Sequence, residues 1–173
     1  MALNNLVRAA IFCALAIGMG FSLMMVPNVE LMTVIVFLSG LTLRWKWGAL
    51  VGGTAIFIYS GMNPMGSGLS FPPLFIMQIV AMSLIGSLGG WLRPIFFVKK
   101  MNTFTLAGLA LVGFSSTLMY DVFTLIAFPL ATGLGLSGIM AALLKGLGFT
   151  LLHEISNAVV FVIAVPTVVK HLK

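Results

Sequence analysis

The chain has 173 residues, 61% of them hydrophobic and 7% charged, with a net charge of +6 and a mean hydropathy of +1.20. A soluble domain of this size could not cover its surface with so few polar groups, which excludes an ordinary water-soluble fold. No basic face and no interleaving of aromatic with basic residues is visible, so nucleic acid is excluded as a partner. A membrane-spanning helix needs about 20 apolar residues, and the apolar runs predict six helices in one domain, residues 1–173. Helix 1 runs from about Leu6 to Val26. Its short basic flank resembles a signal peptide. The run is long, however, shows no small-residue cleavage pattern and precedes five more spans, so it reads as a retained helix. The lone Cys13 inside it implies neither a disulfide nor a zinc cluster. Pro27–Asn28 make a tight turn, and helix 2 covers about Val29 to Leu43. Arg44-Trp45-Lys46-Trp47 is an interface anchor, with indoles at headgroup depth and cations beyond them. Helix 3, about Gly48 to Tyr59, is thin like helix 2. A re-entrant hairpin is the alternative, but it would bury Arg44 and Lys46 in hydrocarbon. The segment Ser60–Pro73, rich in glycine and proline, predicts a structured loop able to move. Helix 4 spans about Leu74 to Leu92, helix 5 about Thr103 to Phe128, and a Gly-rich loop covers Pro129–Gly138. Helix 6 runs from about Ile139 to Val165 and stops near Pro166.

The cations orient these helices. Arg8, Arg44, Lys46, Arg93, Lys99, Lys100, Lys170 and Lys173 all fall at alternate helix ends, whereas the connections around Pro27–Asn28, Gly61–Pro72 and Pro129–Gly138 hold no Lys or Arg. Short cytoplasmic loops retain basic residues, so the expected class is an all-α integral membrane protein with six transmembrane helices and both termini cytoplasmic. The absence of a visible inverted repeat weakens a conventional secondary-transporter reading.

Three acids stand in this apolar background: Glu30 opening helix 2, Asp121 toward the outer end of helix 5, and Glu154 on helix 6. Glu154 is expected about 12 residues above the inner end of its helix, roughly 18 Å up and near mid-membrane. Ionisable groups at that depth normally face a bundle interior or a wet cavity. His153, Glu154 and Asn157 form one patch at helical spacing. With Asn28, Tyr59, Asn63, Gln78, Tyr120 and Lys145 they make a candidate outward-facing pocket, closed on its apolar side by Phe71, Met62 and Met65. Blander readings stay open: Glu30 favouring a helix dipole, Asp121 at the interface, Lys145 snorkelling, and the helix 6 patch as glue between helices. Three acids against one cation favour a ligand that is rich in donors or positively charged, such as a thiamin-related or other nitrogen heterocycle. A corrinoid or its nucleoside precursor remains open. His153-Glu154 matches the first two residues of the zinc-protease sequence HExxH, but Asn157 stands where the second histidine is required. With no P-loop and no Ser/His/Asp set either, the chain is expected not to be an enzyme, and no cofactor or metal is implied. Ala10, Ala14 and Gly18 form a small-residue stripe on helix 1, a pattern that lets helices approach closely in lipid. Gly48–Gly52 and Gly86–Gly90 have the same spacing.

Several segments carry a family resemblance. They are Pro27-Asn28-Val29-Glu30-Leu31 followed by Phe37-Leu38-Ser39-Gly40, then Gly48-Ala49-Leu50-Val51-Gly52, Asn63-Pro64 with Phe71-Pro72-Pro73, and His153-Glu154-Ile155-Ser156-Asn157-Ala158. With six short helices and a long loop between helices 3 and 4, the chain resembles the substrate-binding S component of an energy-coupling factor (ECF) transporter, a multi-pass protein of the prokaryotic plasma membrane. The resemblance implies capture of a vitamin or related micronutrient from outside. It implies delivery inward with a separate coupling membrane protein and two cytoplasmic ATPases, as in an ABC importer. It also implies that Ala10 and Ala14, extended by Gly18, dock the coupling protein, and that Ser60–Pro73 gates the pocket. A small membrane scaffold and a stand-alone secondary carrier are the rival readings.

Overall fold

The computed structural model describes residues 2–98 and 101–172, so Lys99, Lys100 and Lys173 of the cation pattern lie outside the described residues. Six α-helices make up the described fold: α1 (Ala2–Leu23), α2 (Met32–Leu43), α3 (Trp45–Gly61), α4 (Pro72–Trp91), α5 (Thr103–Ala131) and α6 (Gly135–Leu172). A short 3-10 turn, Gly68–Ser70, precedes α4, and a π-helical turn, Pro94–Val98, follows it. Helices α1, α4, α5 and α6 are long and apolar enough to cross a membrane. Large apolar side chains such as Ile11, Leu15, Leu111 and Ile163 are exposed on three of them, as lipid-facing surfaces require. The protein is therefore an all-helical, multi-pass membrane protein. At 12 residues, α2 is only about 18 Å long.

Helix α2 is the core around which the others pack. Every one of its residues except Thr42 is buried. Phe37 on α2 meets Phe161 of α6 at a ring separation of 5.1 Å and Phe96 of the π-helical turn at 6.5 Å. Such an all-round apolar helix has no polar face to give to solvent, which is why it sits inside. Glycines bring α2, α3 and α4 into backbone contact. A Cβ on Gly86 would collide with the Gly48 carbonyl, one on Gly40 with the Gly86 carbonyl, and one on Gly52 with the Met82 carbonyl. The Gly48/Gly52 and Gly86/Gly90 pairs are thus the two sides of one seam, held by dispersion across a distance only glycine permits.

The seam also shapes the α2–α3 turn. The backbone of Trp45 lies against Gly90 of α4, and Arg44, the one residue between the helices, adopts φ 77°, ψ 168°, a region that side chains rarely enter. Trp45–Trp47, expected as part of a turn, form the first turn of α3. Lys46 lies over the Trp45 ring at 5.5 Å and Arg93 over Phe97 at 4.7 Å, both cation–π distances.

Several boundaries differ from the sequence expectation. Helix α5 continues through Pro129 to Ala131, and α6 begins at Gly135 and continues through Pro166 to Leu172. Proline stops a helix in water because it frees a carbonyl. Inside a membrane bundle neighbouring groups and local adjustment satisfy that carbonyl and the helix continues. The longer α6 puts Glu154 about 18 residues, or about 27 Å, from its C-terminal end, farther than the sequence placed it. The expected loop Ser60–Pro73 shrinks at both ends, because Ser60 and Gly61 belong to α3 and the Pro72-Pro73 pair opens α4. Proline is suited to that first turn, where its missing N–H would have had no partner. The remaining loop is pinned: Ser67 donates to the Gly61 carbonyl at 2.7 Å and accepts from the Leu69 N–H at 3.2 Å.

Candidate functional site

A cavity of about 560 Å³ opens at the end of the bundle where α1 meets α2, α3 meets α4 and α5 runs toward α6. This is the end whose connections carry no Lys or Arg. The end of α1 and the connection after it supply Met24, Pro27, Asn28 and Glu30; α2 supplies Thr33, α3 Tyr59, α4 Gln78, α5 Tyr120, Asp121 and Thr124, and α6 Phe149 and His153. An apolar body with a few convergent polar groups is the usual make-up of a small-molecule site.

At its centre is a carboxylate–imidazole–carboxylate row. His153 Nδ1 lies 3.1 Å from both oxygens of Asp121, and His153 Nε2 lies 4.0 Å from Glu30 Oε1. A carboxylate can only accept, so in this pairing Nδ1 is the donor. Packing of α5 on α6 fixes this pairing. Gly113 sits against the backbone of Asn157, and farther along the antiparallel pair, two turns on in α5 and one turn back in α6, Asp121 reaches His153. The two oxygens of Glu30 are used differently. Oε2 accepts the Thr33 N–H at 2.9 Å, capping the first turn of α2, while Oε1 is buried with no hydrogen-bond partner, as is Asn28 Oδ1. Asn28 has φ 58°, a left-handed conformation that asparagine tolerates better than most residues. Behind the row, Gln78 Oε1 accepts from the Ser60 hydroxyl at 2.6 Å. The Thr124 hydroxyl donates to the Tyr120 and Asp121 carbonyls at 3.1 and 3.0 Å.

Of the sequence-predicted pocket, the structure brings together Asn28, Glu30, Tyr59, Gln78, Tyr120, Asp121 and His153. It does not bring in Asn63, Phe71, Lys145, Glu154 or Asn157. Asn63 spends its side chain on a turn, accepting the Met65 N–H at 2.9 Å. Phe71 packs on Phe128 at 6.0 Å between ring centres, and Met62 and Met65 are exposed. Lys145 is exposed on α6. Glu154 and Asn157 are buried but face the bundle interior beside the cavity, and both polar atoms of the Asn157 amide lack partners. Thr33, Thr124, Pro27 and Phe149 were not anticipated. The two threonines follow Glu30 and Asp121 by one helical turn, a spacing that would have flagged them.

A second concavity, about 410 Å³, lies between α1 and α3 and is almost wholly apolar. Ala10 and Ala14 line it. They and Gly18 are exposed, and nothing approaches a Cβ built on Gly18, so this stripe does not serve the packing within the bundle. Among the described residues no group of three or more His, Cys, Asp and Glu is arranged to hold a metal ion. In comparisons with known proteins, the chain matches no protein-family model, no curated protein and no solved structure.

Proposed function

We propose that this protein is the substrate-binding membrane subunit of an ECF-type importer, working in the plasma membrane of a prokaryote. In this reading it has six spans, α2 and α3 being short ones sheltered by their neighbours, and both termini face the cytoplasm. The cavity then faces outward, because it lies at the end whose connections lack Lys and Arg. The protein is a binder rather than an enzyme: it captures a vitamin-like solute and yields it inward through a separate coupling protein and two ATPases. The observation that carries this reading is the cavity itself, in which polar side chains from five helices converge on two buried acceptors without partners, Glu30 Oε1 and Asn28 Oδ1 of the α1–α2 connection, at a single end of an apolar bundle. The exposed Ala10/Ala14/Gly18 stripe supports it, being a smooth helix face left for another membrane helix.

The test has two arms. Native mass spectrometry of freshly purified protein is expected to show one small molecule retained, and proteoliposomes are expected to take that molecule up only when the coupling protein and ATP-loaded ATPases are present. Uptake by the chain alone would make it a secondary carrier. A protein that never retains a solute would be a scaffold.

A further inference from the structure

The cavity is unbalanced in a way that specifies its occupant. Both of its orphaned buried atoms, Glu30 Oε1 and Asn28 Oδ1, are acceptors. Two carboxylates line it, and among the described residues the only side chain there able to carry positive charge is His153, already placed 3.1 Å from Asp121. None of the described Lys or Arg residues lines it. A buried acceptor left without a donor is costly, and more so when charged. A solute bearing a carboxylate or phosphate would add repulsion with no Lys or Arg to offset it. The walls offer the rings of Tyr59, Tyr120 and Phe149, whose faces favour a flat cation.

Resting on the capture reading above, we infer that the cavity takes a small planar organic cation whose N–H groups donate to Glu30 Oε1 and Asn28 Oδ1, and rejects anionic solutes of the same shape. Protonated amidines and amino-heterocycles are the chemical class. Glu30 supplies the charge, Asn28 a second acceptor at fixed angle, and the Asp121–His153 pair closes the far side.

Three probes of one shape test this on the full-length protein in detergent: benzamidine, benzamide and benzoate, cationic, neutral and anionic in turn. By titration calorimetry benzamidine is expected to bind at least about tenfold more tightly than benzamide, the scale of one charge-assisted hydrogen bond, and benzoate not at all. Glu30→Gln keeps an oxygen to cap Thr33 and is expected to erase most of that preference while leaving benzamide unchanged. Asn28→Asp keeps the acceptor, adds charge and is expected to tighten benzamidine several-fold. Benzoate or benzamide binding as well as benzamidine would overturn the charge assignment and leave solute capture standing. A preference that survives Glu30→Gln would overturn the assignment to that atom. If none of the three binds at millimolar concentration the inference also fails, and capture then stands or falls on the retained molecule alone.

Discussion

Glu30 joins a structural duty to a functional one. Its Oε2 holds the first turn of α2, so the position of Oε1 at the cavity wall is set by a helix end rather than by a free side chain. A carboxylate fixed in this manner loses little rotamer freedom when a ligand arrives, which is the cost that preorganised sites avoid. Arg44 shows the opposite situation, a side chain imposed on a backbone that prefers none. Non-glycine residues in such regions cost about 1–3 kcal/mol, and glycine returns about 0.5–1 kcal/mol of that through the flexibility it adds to the unfolded chain. Arg44→Gly is therefore expected to raise stability by about 1 kcal/mol, read as a higher denaturation midpoint in detergent. An unchanged or lower midpoint would mean that Arg44 contributes a contact outweighing the strain. At this scale the sequence was legible in part. It identified the three acids and His153 as the chemically informative residues, but centred the site on Glu154, whereas the row is Glu30–His153–Asp121. Adjacent residues on a helix point about 100° apart, and at this level α6 carries His153, Glu154 and Asn157 together, so nothing in the pattern says which of them faces the cavity. Only the register of α5 against α6 decides.

At the scale of elements, the glycine seam determines how the bundle is built. Gly86→Ala would place a methyl group against the Gly48 carbonyl, and backbone cannot rotate aside as a side chain can. Overpacking of this kind costs about 1–3 kcal/mol and sometimes more. The variant is expected to lose at least that much stability or fail to give folded protein. Gly18→Ala is the matched control: with no atom near the new methyl, its stability should stay within about 1 kcal/mol of the parent, on the favourable side, because alanine is the better helix former. Equal behaviour of the two variants would refute the seam. The spacing of these glycines was visible in the sequence, but their partnership was not, since a four-residue repeat says that a helix face is flat and leaves open what lies against it. The prolines misled in a regular way. Pro129 and Pro166 read as stops by rules learned from helices in water, and both lie inside continuous helices. Pro72 and Pro73, at a helix start, follow the same rules without exception.

For the whole molecule, the two concavities divide the surface between a polar cavity on the inside of the bundle and an apolar face on the outside of α1. If the outer face receives the coupling protein, Ala14→Leu should block co-purification with that protein while leaving benzamidine binding unchanged, because Ala14 does not line the cavity. Normal complex formation by this variant would remove the docking assignment. The cavity opens at the end opposite Arg44, Lys46 and Arg93, the end that the basic-residue pattern expects outside. Charge distribution is a property of the whole chain and survives errors in any single helix boundary, which is why it could be read first.

If the protein delivers a solute inward as proposed, the shortness of α2 has a mechanical meaning for that passage. Its first turn forms part of the wall on which Glu30 and Thr33 stand, and its entire length is about 18 Å against a hydrocarbon core about 30 Å thick. If the far end of α2 stands at the inner edge of the hydrocarbon, a solute lodged beside those two residues would lie more than a third of the way down while everything remains at rest. Only the height of one stubby central rod would then separate it from the far leaflet.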